Sequence, residues 1–158
     1  MAKTLWLLRH GDAEAHDSRP DFERPLTARG ESQSRAAGRT LARLGVRLEY
    51  AFTSPRTRAR ETARIACAEL GIVPVTYEPL SGGFDVDAAA ELIAATGDER
   101  SLLLVGHEPD MSGLVATLTG AHVAMKKGGI AAIRLAGARG ELALLLRPRE
   151  IELLARGR

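Results

Sequence analysis

Thr4-Leu5-Trp6-Leu7-Leu8-Arg9-His10-Gly11 carries a near-continuous apolar run that stops abruptly on an arginine, a histidine and a glycine. A run that is apolar at consecutive positions is the mark of a strand covered on both faces, as in parallel sheets with helices above and below. The rest of the chain repeats this alternation of apolar runs and helical patterns. Residues 27–44 read as a helix closed by Gly45, and residues 49–53 as a short strand. Ser54 and Pro55 then suit the cap and first position of a second helix. That helix keeps Ala59, Ala63, Ala66, Cys67 and Leu70 on one face and stops at Gly71. Residues 73–77 read as a strand, 85–95 as a helix and 101–105 as another buried strand. Pro109 opens a helix with Met111, Leu114, Val115 and Leu118 in step. Residues 130–135 and 141–146 form a hairpin across 137–140, ahead of a short Arg-rich tail. This order predicts an α/β protein, a three-layer α/β/α sandwich around a mostly parallel central sheet.

Composition narrows the function classes. With 158 residues the chain fits one domain spanning 1–158, large enough to fold without a metal or disulfide staple. The single Cys67 excludes a disulfide within the chain. No apolar run approaches the roughly 18 residues of a membrane span, and no small-residue cleavage site follows the first strand, so the expected location is the cytoplasm. Three of the 22 basic residues are lysines and the rest arginines, yet the net charge is only +2. Six aromatic residues offer no stacking platform, which argues against nucleic acid.

Three strand ends carry unusual polar residues: Arg9-His10-Gly11, Ser54 to Arg60, and Gly106-His107-Glu108-Pro109. Ligands of open α/β sheets bind beyond the carboxyl ends of the strands, so these segments should meet at one crevice. Arg56, Arg58 and Arg60 fall at a helix start, where the helix dipole disfavours cations by roughly 0.3–1 kcal/mol each. A bound anion resolves that conflict, because helix-start N–H groups and guanidinium forks both seek one. Arg58, beside the packed face at Ala59, is the candidate; Arg56 and Arg60 read as solvated, with part of that surface available to an acidic partner. A neutral imidazole at His10 can attack phosphorus and hold a phosphoryl group, while guanidinium groups neutralise its oxygens. Gly11 would permit close backbone approach. As a lone residue His10 would read as a hydrogen-bonded structural histidine, but His107 ends another strand in the same way.

Rival chemistries lack their residues. No arginine stands six positions after Cys67, and no Gly-x-Ser-x-Gly or Gly-x-x-x-x-Gly-Lys segment occurs. His10, Asp12, Glu14, His16 and His107 match no standard metal spacing, and nearby arginines would repel a cation. Asp12, Glu14, Glu108 and Asp110 border the histidines, where they could orient an imidazole or simply cap helices and pair with arginines. Lys126 and Lys127 read as a solvated turn that could reach the crevice. His16 and His122 read as surface residues and Cys67 as core.

Arg9-His10-Gly11, Arg24-Pro25-Leu26-Thr27-x-x-Gly30, Ser54-Pro55-x-x-Arg58-Ala59-x-x-Thr62 and Gly106-His107 occur in this order. Together they resemble the histidine phosphatase superfamily, which also contains the phosphoglycerate mutases. Arg9 to Ala13 and the small size look most like the SixA-type phosphohistidine phosphatases. The resemblance implies a phosphoglycerate mutase-like fold with His10 as nucleophile and Arg9, Arg58 and His107 completing the phosphate pocket. It implies no metal and no organic cofactor. Other branches carry an acidic proton donor after the third strand; Asp85 is the candidate by position, with a helix N-cap as its alternative role. A site without a dedicated acid suits phosphohistidine, whose P–N bond breaks easily once the imidazole is protonated. The short loops after the catalytic strands form no lid, which suits a phosphorylated protein. A small phosphomonoester on the same residues is the alternative substrate. A non-catalytic phosphate- or phosphoprotein-binding module is the alternative role.

Overall fold

The computed structural model describes residues 3–97, 101–137 and 139–157. Met1 and Ala2, at the amino terminus read for a leader, and Ala138, in the expected hairpin turn, lie outside the described residues. Six strands form one sheet: β1 (Thr4–Arg9), β2 (Tyr50–Thr53), β3 (Val75–Thr76), β4 (Leu102–Gly106), β5 (Ile130–Ala136) and β6 (Arg139–Leu146). Their order is β3-β2-β4-β1-β5-β6. The first four are mutually parallel, and β5 and β6 run antiparallel at one side. Among the described residues five α-helices cover it: α1 (Ala28–Arg43), α2 (Thr57–Ala68), α3 (Val86–Thr96), α4 (Asp110–Thr119) and α5 (Pro148–Arg156).

The period of two along each strand divides the core into two layers. Leu5, Leu7, Leu102 and Leu104 pack under α3 and α4 with Leu92, Met111 and Leu114. Leu8, Leu103 and Val105 face the other way, onto Ala37 and Leu41 of α1, Ala59 and Ala63 of α2, and Ile151 of α5. The three-layer α/β/α sandwich is therefore as the sequence predicts. Helices α1 and α2 cross closely: a Cβ on Gly38 would lie 2.4 Å from the Ala66 carbonyl oxygen, so only glycine permits this approach.

Three local expectations are corrected. Helix α2 starts at Thr57 with Arg56 as its cap, two residues after the expected cap at Ser54 and first position at Pro55. Ser54 still donates its N–H to Val105 O across the sheet, and its Oγ accepts from Arg56 N within a turn rather than capping a helix at that point. The third strand shrinks from residues 73–77 to Val75–Thr76, since Pro74 has no N–H for the ladder at this sheet edge. The Arg-rich tail is the amphipathic helix α5. Pro148 sits at its first position, Glu150 Oε1 accepts from the Arg147 N–H at 3.1 Å, and Ile151 is buried against α1. No helix among the described residues is long and apolar enough to cross a membrane.

Candidate active site

Strand register brings the polar segments together. Arg9 pairs with Gly106, so His10 and His107 leave adjacent strands side by side, with ring centroids 5.2 Å apart. Thr53 pairs with Val105, which sets Ser54 beside His107. Both histidines are nearly buried, at 6% and 7% exposure, and so is Arg58 at 7%.

The hydrogen bonds fix the chemistry of His10. Its Nδ1 lies 2.7 Å from the carbonyl oxygen of Gly11, which can only accept. Nδ1 must therefore carry the proton, leaving the lone pair on Nε2. Burial, followed by the charges of His107, Arg58 and Arg9, pushes the His10 pKa down to about 3 against the opposing Gly11 bond. The imidazole is thus neutral at ordinary pH and available as a nucleophile. His107 Nε2 is 2.7 Å from Ser54 Oγ. That oxygen already accepts from Arg56 N, so its hydroxyl can donate to Nε2 and leave the proton of His107 on Nδ1. Burial, then the charges of Arg58 and Arg56, lowers the His107 pKa to about 4.

Three buried side-chain atoms lack a partner among the described residues: Arg9 Nε, Arg58 Nε and His107 Nδ1. Unsatisfied buried donors are costly and rare in folded proteins. All three belong to groups whose charges act on His10, and donors of this kind are ones an oxyanion could satisfy. Arg9 is aimed by one bond, from Nη1 to Met125 O at 2.9 Å. That loop is held in turn through Ser112, whose Oγ accepts from Met125 N, and through Glu108, which accepts from Ser112 N and Oγ. The otherwise unassigned Glu108 therefore braces the Arg9 support.

Asp21 is the residue beside the site that sequence reasoning passed over. It lies in a single turn of 3-10 helix, Asp21–Glu23, inside the loop that precedes α1. Arg24 donates to its Oδ1 from Nε and Nη2, at 3.1 and 2.8 Å. Arg56 Nη1 and Arg58 Nη2 meet its Oδ2, and Arg58 Nη1 donates to its carbonyl oxygen at 2.8 Å. Nη1 and Nη2 of Arg58 are therefore both anchored on this loop, whereas Nε has no partner among the described residues. Partial burial would raise the Asp21 pKa, but the Arg24 hydrogen bond and the charges of Arg58 and Arg24 prevail and lower it. Arg56, expected in solvent, is half-buried between Asp21, Ser81 O and the Phe22 ring, whereas Arg60 is exposed.

The other named residues take supporting places. The Gly11 N–H donates to Thr62 Oγ1, and its bare face meets Gly30, where a Cβ would lie 2.7 Å from a backbone oxygen. The close approach it permits is thus to α1. Asp85 is exposed and caps α3, its Oδ1 accepting from Ala88 N at 3.0 Å. His16 and His122 are exposed, and burial raises the thiol of core residue Cys67 to about 12. Among the described residues no three or more His, Cys, Asp or Glu side chains group to hold a metal ion.

A pair of strand-end histidines beside buried arginines on this sandwich points to a class, and the chain belongs to it: the histidine phosphatase superfamily. Residues 5–81 match its branch 1. An uncharacterized protein of Picosynechococcus sp. is 35% identical over 92% of this chain and 96% of its own length. The fold is similar to that of the protein histidine phosphatase SixA complexed with tungstate, at 28% identity and TM-score 0.85 over 94% of this chain and 99% of that one. It is also similar to a SixA homologue from Nakamurella, assigned as a phosphohistidine phosphatase only by proposal, at 28% identity and TM-score 0.75 over 94% and 97% of the two chains.

Proposed function

We propose that the protein is a phosphatase that removes the phosphoryl group from phosphohistidine on a signalling protein of the cytoplasm, through a phosphorylated His10. The observation that carries this reading is the free Nε2 lone pair of His10 beside three unpartnered donors, Arg9 Nε, Arg58 Nε and His107 Nδ1. Nε2 attacks phosphorus and forms a P–N bond, while the bond to the substrate's imidazole breaks. The leaving imidazole keeps the electron pair and takes a proton. Water then attacks phosphorus, phosphate departs, and His10 is regenerated. The two guanidinium groups and the His107 N–H hold the equatorial oxygens during both transfers. SixA's binding of tungstate, a phosphate-like oxyanion, is consistent with such a pocket here.

The state of the nearby carboxylates supports phosphohistidine over a phosphoester. Asp21 is held ionised by arginines, Asp85 caps a helix, and Glu108 is engaged by Ser112. A phosphoester leaving group gains roughly 10²–10⁴-fold from a general acid, whereas an imidazole of near-neutral pKa departs with a proton from solvent. Phosphate release from a phosphohistidine protein and from sugar, nucleotide and aryl monoesters, with EDTA present, tests this directly. Release is expected to favour phosphohistidine by at least about 10²-fold. Faster turnover of a monoester would overturn the substrate and leave the nucleophile standing.

Asp21 acts in this reading as a positioning residue, through Arg58. Asp21→Ala removes the Nη2 contact and leaves the main-chain oxygen holding Nη1, so the guanidinium is held less firmly, and misplacement of this kind costs on the order of 10²-fold in kcat/KM. The loss should fall mainly on kcat, with Asp21→Glu recovering part of it. A fall in thermal stability with kcat unchanged would assign Asp21 a structural role alone.

A further inference from the structure

Beside the catalytic pocket lies a second concavity, of about 500 Å³, that shares Arg9 with it. Its walls carry Arg29, Lys126, Lys127, Arg147 and Arg149, and Asp12, which pairs with Lys127 at 3.6 Å, is the sole acidic residue among the described residues that line it. The lining is far more positive than a chain of net charge +2 requires. Two of these cations stand where local physics disfavours them, Arg29 in the first turn of α1 and Arg149 in the first turn of α5. Arg147 is occupied by Glu150 and Lys127 by Asp12, but Arg29, Lys126 and Arg149 make no ion pair or side-chain hydrogen bond among the described residues.

We propose that this concavity is a docking site for an acidic segment of the phosphoprotein, next to its phosphohistidine. The inference rests on the proposed function for its substrate and adds how that substrate is recognised. A single small anion would call for buried, fixed donors such as those of the phosphate pocket. Here the cations are exposed, on long side chains, and spread across two helix starts and the loop before β5. Such groups act together on several carboxylates, raising the association rate and fixing orientation more than they fix one ligand. The location differs from the surface expected around Arg56 and Arg60, because Asp21 already neutralises Arg56. With Arg9 common to both hollows, a chain whose phosphoryl group sits at His10 passes directly over the basic lining.

The test uses two synthetic peptides, each with one phosphohistidine, flanked by glutamates in one and by glutamines in the other. Wild type is expected to turn over the glutamate peptide with at least about tenfold higher kcat/KM, the preference shrinking as salt rises from about 0.02 to about 0.2 M. The triple variant Arg29→Glu, Lys126→Glu, Arg149→Glu should lose the preference while releasing phosphate from the glutamine peptide at the wild-type rate. Equal rates on both peptides for wild type, or an unchanged preference in the variant, would overturn the docking site and leave the phosphatase reading intact. Fluorescence anisotropy with the unphosphorylated glutamate peptide supplies a readout that needs no turnover, with binding expected for wild type and at least about tenfold weaker binding for the variant. Charge-dependent binding without release from either peptide would support the surface and refute the phosphohistidine substrate. Tighter, variant-sensitive binding of a single-stranded oligonucleotide would overturn the acidic-protein assignment.

Discussion

His10→Ala is expected to lower turnover of any phosphorylated substrate by at least about 10⁴-fold, because loss of a nucleophile removes the covalent route altogether. The arginines do not depend on the ring, so the variant should bind tungstate with an affinity close to that of wild type. His107→Ala should cost less, about 10²–10⁴-fold, since it removes a donor to the phosphoryl oxygens rather than the attacking atom. Rapid acid-free quench of wild type, followed by peptide mass spectrometry, should place the phosphoryl adduct on His10. The tautomer makes a sharper statement: Nδ1 is committed to the Gly11 carbonyl, so the adduct should be the Nε2 isomer. Residual turnover by His10→Ala within tenfold of wild type would refute the mechanism. So would an adduct on another residue. Tungstate binding lost together with turnover would mean that the ring holds the pocket open, and the nucleophile assignment would then rest on the adduct.

The residues that sequence analysis brings together are those that end strands. A buried strand announces itself by its apolar run, and its carboxyl end is where an α/β sheet presents ligands, so Arg9, His10 and His107 are legible from position alone. Arg58 is legible because a cation at a helix start breaks a local rule. Asp21 obeys no such logic. It sits in an irregular loop, its neighbours in sequence carry no periodicity, and its meaning lies in the convergence of Arg24, Arg56 and Arg58 from two separate segments. Arginine clusters read without their counter-ion look solvated, which is how Arg56 is misplaced. Helix α5 is hidden for a different reason. Its nine residues hold two arginines and two glutamates, and Ile151 alone among them is buried, so the anchorage rests on that side chain, the Thr40 hydroxyl donating to the Ile151 carbonyl oxygen, and the Arg147–Glu150 bond. The basic concavity is likewise assembled from three distant segments, and no local pattern joins Arg29 to Lys126 and Arg149.

The two depressed histidines make a stability prediction that depends on the same pocket. Folded, His10 and His107 take up protons only near pH 3 and 4, whereas in the unfolded chain they do so near 6.5. Between about pH 6.5 and 4 the unfolded state therefore binds more protons, and stability must fall as pH drops through that window. Each histidine contributes at most roughly 1.4 kcal/mol per pH unit. Asp21 titrates in a separate range, since its lowered pKa is felt only below about 4, where the unfolded carboxylate gains its proton. Urea melts at pH 7, 6 and 5 should show the midpoint falling, with little change between pH 8 and 7. The double variant His10→Asn, His107→Gln should flatten this acid slope. Saturating tungstate should flatten it too, because a bound dianion faces Arg9, Arg58 and His107 and favours the protonated imidazole. An acid slope that survives in the double variant would show that the histidines do not govern it. A slope that persists under tungstate would separate the oxyanion from His107, and with it the reason for the unpartnered Nδ1.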